Sequence, residues 1–152
     1  MEVPHRLFTD GGARGNPGPA GIGVVLESPD GEVVEEIARG IGWATNNVAE
    51  YTGLIEGLKL ALQRGVRSLA VFMDSTLVIQ QMRGAFKVKH PGLKQLHETA
   101  RKLAGQFDSI RFQAIPRERN RPADKLSNQG MDRWEAENPG FRPPEAESST
   151  LF

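Results

Sequence analysis

The stretch Arg6-Leu-Phe-Thr-Asp10 runs straight into Gly11 and Gly12, and it constrains the rest of the chain more than any other. It has the alternation of a short strand: Leu7 and Thr9 point to one face, Phe8 and Asp10 to the other. A carboxylate at the C-terminal end of a buried strand is costly to desolvate unless it is paired or holds a cation. Any fold built on this strand must therefore bring partners to Asp10. Three other acids occupy comparable places. Glu50 lies near a helix start, Asp74 ends an apolar strand, and Asp124 opens a late helix.

The pattern along the chain shows how they could meet. Gly11 to Pro19 is expected to be a glycine-rich turn; it lacks the Gly-Lys-Ser/Thr ending of a phosphate-binding P-loop. Residues 21–27 and 32–41 alternate as strands around Ser28-Pro-Asp-Gly31, which has hairpin chemistry. The first three strands therefore predict an antiparallel meander. Residues 45–64 predict a helix, with Tyr51, Leu54, Leu58 and Ala61 at helical spacing and Gly65 at its end. Gly53 and Gly57, four residues apart, should let it approach the sheet closely. Residues 68–74 are almost wholly apolar, as in a strand buried on both faces. A short helix over 75–83, a loop over 84–92, a helix over 93–106, a strand over 109–115 and a helix over 123–137 complete the order. From Asn138 the chain is rich in Pro, Glu and Ser, so 1–137 is expected to be one domain and 138–152 a flexible tail. The order β-β-β-α-β-α-α-β-α implies an α/β sandwich with a mixed five-stranded sheet.

Composition excludes several classes. Of 152 residues, 38% are hydrophobic and 25% charged, which suits a globular protein with a real core. No cysteine is present, so disulfides and thiolate metal sites are excluded. Neither a leader-like segment nor a long apolar run is present; a cytoplasmic protein without membrane attachment is expected. The formal net charge is zero, but its distribution is uneven. Residues 83–125 hold eleven Lys/Arg against four acids, and residues 1–82 hold six against ten. The bases thus gather in the second half, away from most of the acids.

Asp10 and Asp74 should end neighbouring parallel strands, because a helical crossover joins them, and sites in such sheets lie beyond the strand C-termini. Glu50 sits one turn into the helix facing the same edge. Asn47-x-x-Glu50 also resembles a capping box, and Asp124 is an ordinary acid for a helix start. The informative feature is the convergence of all four. Oxygen ligands without Cys or His suit a hard cation such as Mg2+ or Mn2+. Two such ions can clamp the attacking and leaving oxygens of a phosphoryl displacement.

Five segments carry a resemblance: Phe8-Thr-Asp-Gly-Gly12, Gly15-Asn-Pro-Gly-Pro19, Thr45-Asn-Asn-Val-Ala-Glu-Tyr51, Met73-Asp-Ser75 and Ala123-Asp-Lys-Leu-Ser-Asn128. In this order and spacing, over roughly residues 5–137, the chain resembles ribonuclease H of the type 1 branch. The resemblance implies the ribonuclease H-like fold and a metal-dependent endoribonuclease. Such an enzyme cuts the RNA strand of RNA–DNA hybrids, with double-stranded RNA left open as a second substrate, and leaves 5′-phosphate and 3′-hydroxyl ends. It implies Asp10, Glu50, Asp74 and Asp124 as catalytic, metal-binding carboxylates for two Mg2+ ions, with Mn2+ as substitute. It also implies substrate contacts from Asn16, Thr45, Asn46 and Asn47 and from the backbone around Gly11, Gly12 and Gly15. A monomer is expected. An Asn amide can donate to and accept from the 2′-hydroxyl that marks RNA.

The chain departs from many relatives in three respects. Residues 115–122 contain Arg117, Arg119 and Arg121 but no histidine. The region after Asp74 has no basic, tryptophan-bearing handle. No separate N-terminal hybrid-binding domain is expected. Trp43 and Trp134 could stack on bases, but a core role is expected. His5, His90 and His97 are expected to take no part in the chemistry. Within the same fold a junction resolvase or a transposase-like domain is the alternative. From another class it is a non-cleaving nucleic-acid-binding module, which the intact carboxylates disfavour.

Overall fold

The computed structural model describes residues 2–144. Its elements run β1 (His5–Ala13), β2 (Gly18–Glu27), β3 (Val33–Ala44), α1 (Asn46–Gln63), β4 (Ser68–Met73), α2 (Thr76–Met82), α3 (Pro91–Ala104), β5 (Ser109–Ala114) and α4 (Arg121–Glu137). One 3-10 turn, Arg117–Arg119, precedes α4. The element order is the expected one. The five strands form one sheet in the order β3-β2-β1-β4-β5. β1, β2 and β3 pair antiparallel, while β4 runs parallel to β1 and β5 parallel to β4.

The faces of β1 are those its alternation dictates. Leu7 and Thr9 are fully buried under α1, where Gly57 lies against both side chains. Phe8 is on the opposite face, stacked on Phe72 of β4 at 5.0 Å. α1 packs on β1 and β2 and carries α3 on its outer side; α4 covers the other face across β1, β2 and β3. The core joins Leu7, Val24 and Leu26 of the sheet to Tyr51, Leu54 and Leu58 of α1 and to Leu93 and Ala100 of α3. Ser28-Pro-Asp-Gly31 turns as expected, with Gly31 at φ +88° donating to the Ser28 carbonyl at 2.9 Å.

The glycine-rich segment is the main correction. β1 continues through Gly11 and Gly12 to Ala13, and β2 begins already at Gly18, so only residues 14–17 turn. The glycines serve contact between layers rather than a loop. A Cβ on Gly23 would fall 2.0 Å from the Ala123 carbonyl oxygen of α4, and one on Gly11 would fall 2.2 Å from the Ala49 carbonyl oxygen of α1. The spacing of Gly53 and Gly57 carries the expected meaning: a Cβ on Gly53 would lie 2.8 Å from the Asp10 carbonyl oxygen.

Helix starts also differ. The cap of α1 is Thr45, whose hydroxyl accepts from the Val48 N–H at 3.3 Å; Asn47 and Glu50 form no capping box. α3 starts at Pro91, with the His90 ring accepting from the Gly92 N–H at 3.1 Å. α4 starts at Arg121, with Pro122 in its first turn. The segment expected to be a tail begins with a contact: Phe141 packs on Trp43 at 5.7 Å and on Trp134 at 5.4 Å. Both tryptophans are half-buried in this small aromatic cluster at the rim of the sheet rather than in the core. The rest of the expected tail, 145–152, lies outside the described residues.

Candidate metal centre and its surroundings

Parallel pairing of β1 with β4 sets Phe8 beside Phe72, so Asp10 and Asp74 leave the sheet at the same edge. The close approach of α1 at Gly11 delivers Glu50 to that edge, where the Gly11 N–H donates to Glu50 Oε1 at 2.7 Å. One carboxylate oxygen from each of Asp10, Glu50 and Asp74 belongs to a set whose atoms all lie within 4.8 Å of one another. Asp124 lines the same cavity of about 660 Å3 from the start of α4. It stands outside that tight set, with its Oδ1 3.6 Å from the Arg117 guanidinium.

The electrostatics are those of acids forced together. Burial, then the charge of Asp74, pushes Asp10 up to about 6, although a hydrogen bond from Ser127 opposes the shift. Burial, then the Asp10 charge, holds Glu50 well above the usual carboxylate range. Asp74 is raised by burial, partly offset by Arg117. A hard divalent cation would relieve both the desolvation and the mutual repulsion, and the donors are all oxygen; the residues fit such an ion.

This arrangement fixes a pH dependence. The folded state holds the Asp10 proton more tightly than the unfolded chain, so between about pH 4 and about 6 stability falls as pH rises. Without divalent cation, the melting temperature of the protein relative to its Asp10→Asn variant should therefore drop from pH 5 to pH 7 (both about, bracketing the raised value). Added Mg2+ should restore it at the higher pH. A difference that stays flat across this window would show that Asp10 ionises normally.

The residues expected to touch nucleic acid divide in two. Gly11, Gly12, Asn46 and Asn47 line the cavity; Gly15, Asn16 and Thr45 do not. The Gly11 amide is already committed to Glu50. Asn16 Oδ1 accepts from the Asn46 N–H at 3.0 Å, and Asn46 Oδ1 accepts from the Ala13 N–H at 2.8 Å. These reciprocal bonds tie the β1–β2 turn to the start of α1. They also engage both side-chain oxygens with backbone donors, which leaves each NH2 as the group free to donate. That refines the expectation that these amides both donate and accept.

Sequence reasoning missed several residues that shape the site. Ser127 Oγ lies 3.0 Å from Asp10 Oδ2 and 2.8 Å from the Asp124 carbonyl oxygen. Its position three residues after Asp124 on one helix face was a usable signal. Asn120 is wholly buried, and its Nδ2 donates to the Thr9 carbonyl at 3.0 Å; no local pattern marks it. Arg117 was noted only as charge. Arg14, from the β1–β2 turn, pairs with Asp132 and Glu135 of α4. No histidine lines the cavity: His90 caps α3, and His97 bonds the Gln81 carbonyl and meets Tyr51 edge-on.

Comparison with known proteins bears on this geometry. A family profile described as reverse transcriptase-like matches residues 8–130. The bifunctional protein Rv2228c of Mycobacterium tuberculosis is 53% identical over 127 residues, covering 83% of this chain and 35% of that protein. The chain thus spans about a third of the length of the first curated relatives it matches. The solved N-terminal RNase H domain of Rv2228c superposes with a TM-score of 0.82 at 51% identity, covering 84% of this chain and 98% of that one. RNase H1 of Halobacterium salinarum gives a TM-score of 0.82 at 41% identity, with 84% and 97% covered. LC11-RNase H1, isolated from compost and solved in complex with an RNA/DNA hybrid, gives 0.81 at 42% identity, with 85% and 97% covered.

Proposed function

The chain belongs to the ribonuclease H family, in its type 1 branch, and on that premise we propose that it is an endoribonuclease hydrolysing the RNA strand of RNA–DNA hybrids. The observation that carries this is the set of Asp10, Glu50 and Asp74 oxygens at the shared end of β1 and β4, in a cavity that Asn46 and Asn47 also line. Asp10, Glu50, Asp74 and Asp124 would hold two Mg2+ ions, with Mn2+ as substitute. Bound there, the ions supply a water nucleophile at neutral pH and stabilise the charge of the leaving oxygen.

The protein's own groups do the remainder. The Gly11 N–H fixes the Glu50 carboxylate, and Ser127 holds Asp10. The Asn46 NH2, its oxygen already engaged, donates to acceptor atoms of the RNA strand, the 2′-oxygen among them. An arginine side chain serves as fixed charge rather than as a proton shuttle, and Arg117 has that role here. Its guanidinium balances Asp124 and Asp74 and offers charge to a phosphate, and the proton of the attacking water leaves to solvent or to a phosphate oxygen. With this reading go a monomer, residues 1–137 as the catalytic unit, and a place in the cytoplasm. Among the described residues no helix is long and apolar enough to cross a membrane.

The test is incubation with labelled hybrid, duplex RNA and duplex DNA, with and without Mg2+. Cleavage of the RNA in the hybrid, dependent on the ion and yielding 5′-phosphate ends, is expected. Cleavage of duplex RNA would widen the substrate class. Binding without cleavage would favour the non-catalytic module, and cleavage of DNA a different nuclease of this fold.

A further inference from the structure

α2 links the carboxylate cavity to a second feature. Thr76, at the start of the helix, lines the cavity; Met82 ends it, about 10 Å away at 1.5 Å per residue. There a groove opens between the end of α2, the outer side of α3 and the edge strand β5. Arg83 and Arg101 line it throughout, Lys87 stands toward the α2–α3 connection, and Arg111 stands on β5. No carboxylate lines it, and among the described residues none of these four cations forms an ion pair. Elsewhere Arg6, Arg14, Arg39, Arg64, Arg67 and Arg117 each meet an acid.

Two details suit this groove to a phosphate chain. Arg83 Nε donates to the Phe112 carbonyl oxygen at 2.8 Å, which holds its guanidinium in place at the groove wall. Phe86, 51% exposed, lies beside Lys87 in the same lining and offers a ring to stack on. Unpaired cations repel one another, and a run of phosphates both relieves that repulsion and gains entropy through counterion release.

We propose that this groove binds the sugar–phosphate backbone of the nucleic acid that is cut at the carboxylates, gripping it about one short helix away from the scissile bond. The inference rests on the nuclease reading for the identity of that nucleic acid. It gives this chain, which carries no handle after Asp74, a second electrostatic grip built from α2, α3 and β5.

The test measures binding rather than cleavage. Full-length protein without divalent ion is titrated with a fluorescent hybrid long enough to extend past the groove, over a series of salt concentrations. The double variant Arg101→Gln/Arg111→Gln changes two exposed, unpaired side chains; Arg64→Gln/Arg67→Gln, whose side chains meet Glu35 and Asp108 outside the groove, is the charge-matched control. Each lost phosphate contact lowers the log–log salt slope by about 0.9, so the double variant should lose nearly 2 in slope and bind roughly tenfold more weakly at low salt. The control should match wild type, and a short hybrid covering only the carboxylate cavity should bind both proteins equally. Arg101→Glu should weaken the long hybrid further than Arg101→Gln. Unchanged slope and affinity in the double variant would overturn the proposal and leave the cations as guards of an exposed sheet edge. Because cleavage is read separately, a protein that loses slope as expected but never cuts hybrid would sink the nuclease reading while the groove stands. One that cuts with an unaltered slope would do the reverse.

Discussion

Asp10→Asn should abolish hybrid cleavage and, in the absence of divalent ion, make the protein more stable. The carboxylate is 7% exposed and is pushed up to about 6 by burial and by Asp74. At neutral pH the fold therefore holds a buried anion that the unfolded chain solvates freely. With an ordinary value of 3.8, the shift corresponds to on the order of 2–3 kcal/mol at pH 7, absent below about pH 4. Asparagine keeps the shape, and its amide oxygen can still accept from Ser127. For a chain of this size each kcal/mol moves the melting temperature by about 2–4 °C. The loss of activity has the opposite origin. A bound ion contributes several kcal/mol to transition-state stabilisation, so removing its most central ligand should lower kcat by about a thousandfold or more. Mg2+ should raise the melting temperature of wild type and leave that of the variant nearly unmoved. Near-wild-type cleavage by a pure Asp10→Asn preparation would refute the metal-centre assignment.

Gly11→Ala should damage the fold and the metal centre together. The added carbon would stand 2.2 Å from Ala49 O, 2.3 Å from Ala49 C and 2.6 Å from Glu50 N. All three are backbone atoms of α1, so no side chain can rotate away, and the helix itself has to retreat from β1. That loosens a contact with Leu54 and Leu58 behind it, at a cost of about 3 kcal/mol by analogy with other overpacked cores. It also stretches the 2.7 Å bond that holds Glu50 beside Asp10, so the surviving folded protein should bind Mg2+ at least roughly tenfold more weakly, as other ligand-orienting contacts do when lost. Gly12→Ala is the control: its carbon meets only the tip of Met131 at 3.6 Å and should be tolerated. Calorimetry of unfolding and of Mg2+ binding reads both effects. A Gly11→Ala protein melting like wild type would show that α1 does not rest on this glycine.

Both predictions turn on glycine and carboxylate positions that the sequence displays but does not explain. Gly11 and Gly12 look alike in sequence, two turn formers after a strand. In the structure one bears the backbone of α1 and the other faces a flexible methionine. Taking Gly11–Pro19 for a loop was reasonable from composition. It failed because glycine also appears wherever two backbones must touch, and that cause is non-local. The capping box at Asn47 failed for a related reason: Glu50 had a better partner in the Gly11 amide, 39 residues away, and Thr45 was the better cap. Gly53 and Gly57 were correctly understood because their four-residue spacing on a helix carries its meaning locally.

By itself the sequence determined the order of elements, the faces of β1, the antiparallel start of the sheet, the parallel neighbours β1 and β4, and the placing of four acids at element ends. Each of these follows from periodicity, capping or crossover length, which operate within a turn or a strand. Tertiary structure alone decided that Asp10, Glu50 and Asp74 share one 4.8 Å set while Asp124 stands off beside Arg117. It decided too that the Asn16 and Asn46 oxygens are occupied, that Asn120 is buried under β1, and that Arg83, Lys87, Arg101 and Arg111 line one groove. Those outcomes depend on which groups meet through space and how much water they lose in meeting, and neither quantity is written in the spacing of residues along a chain.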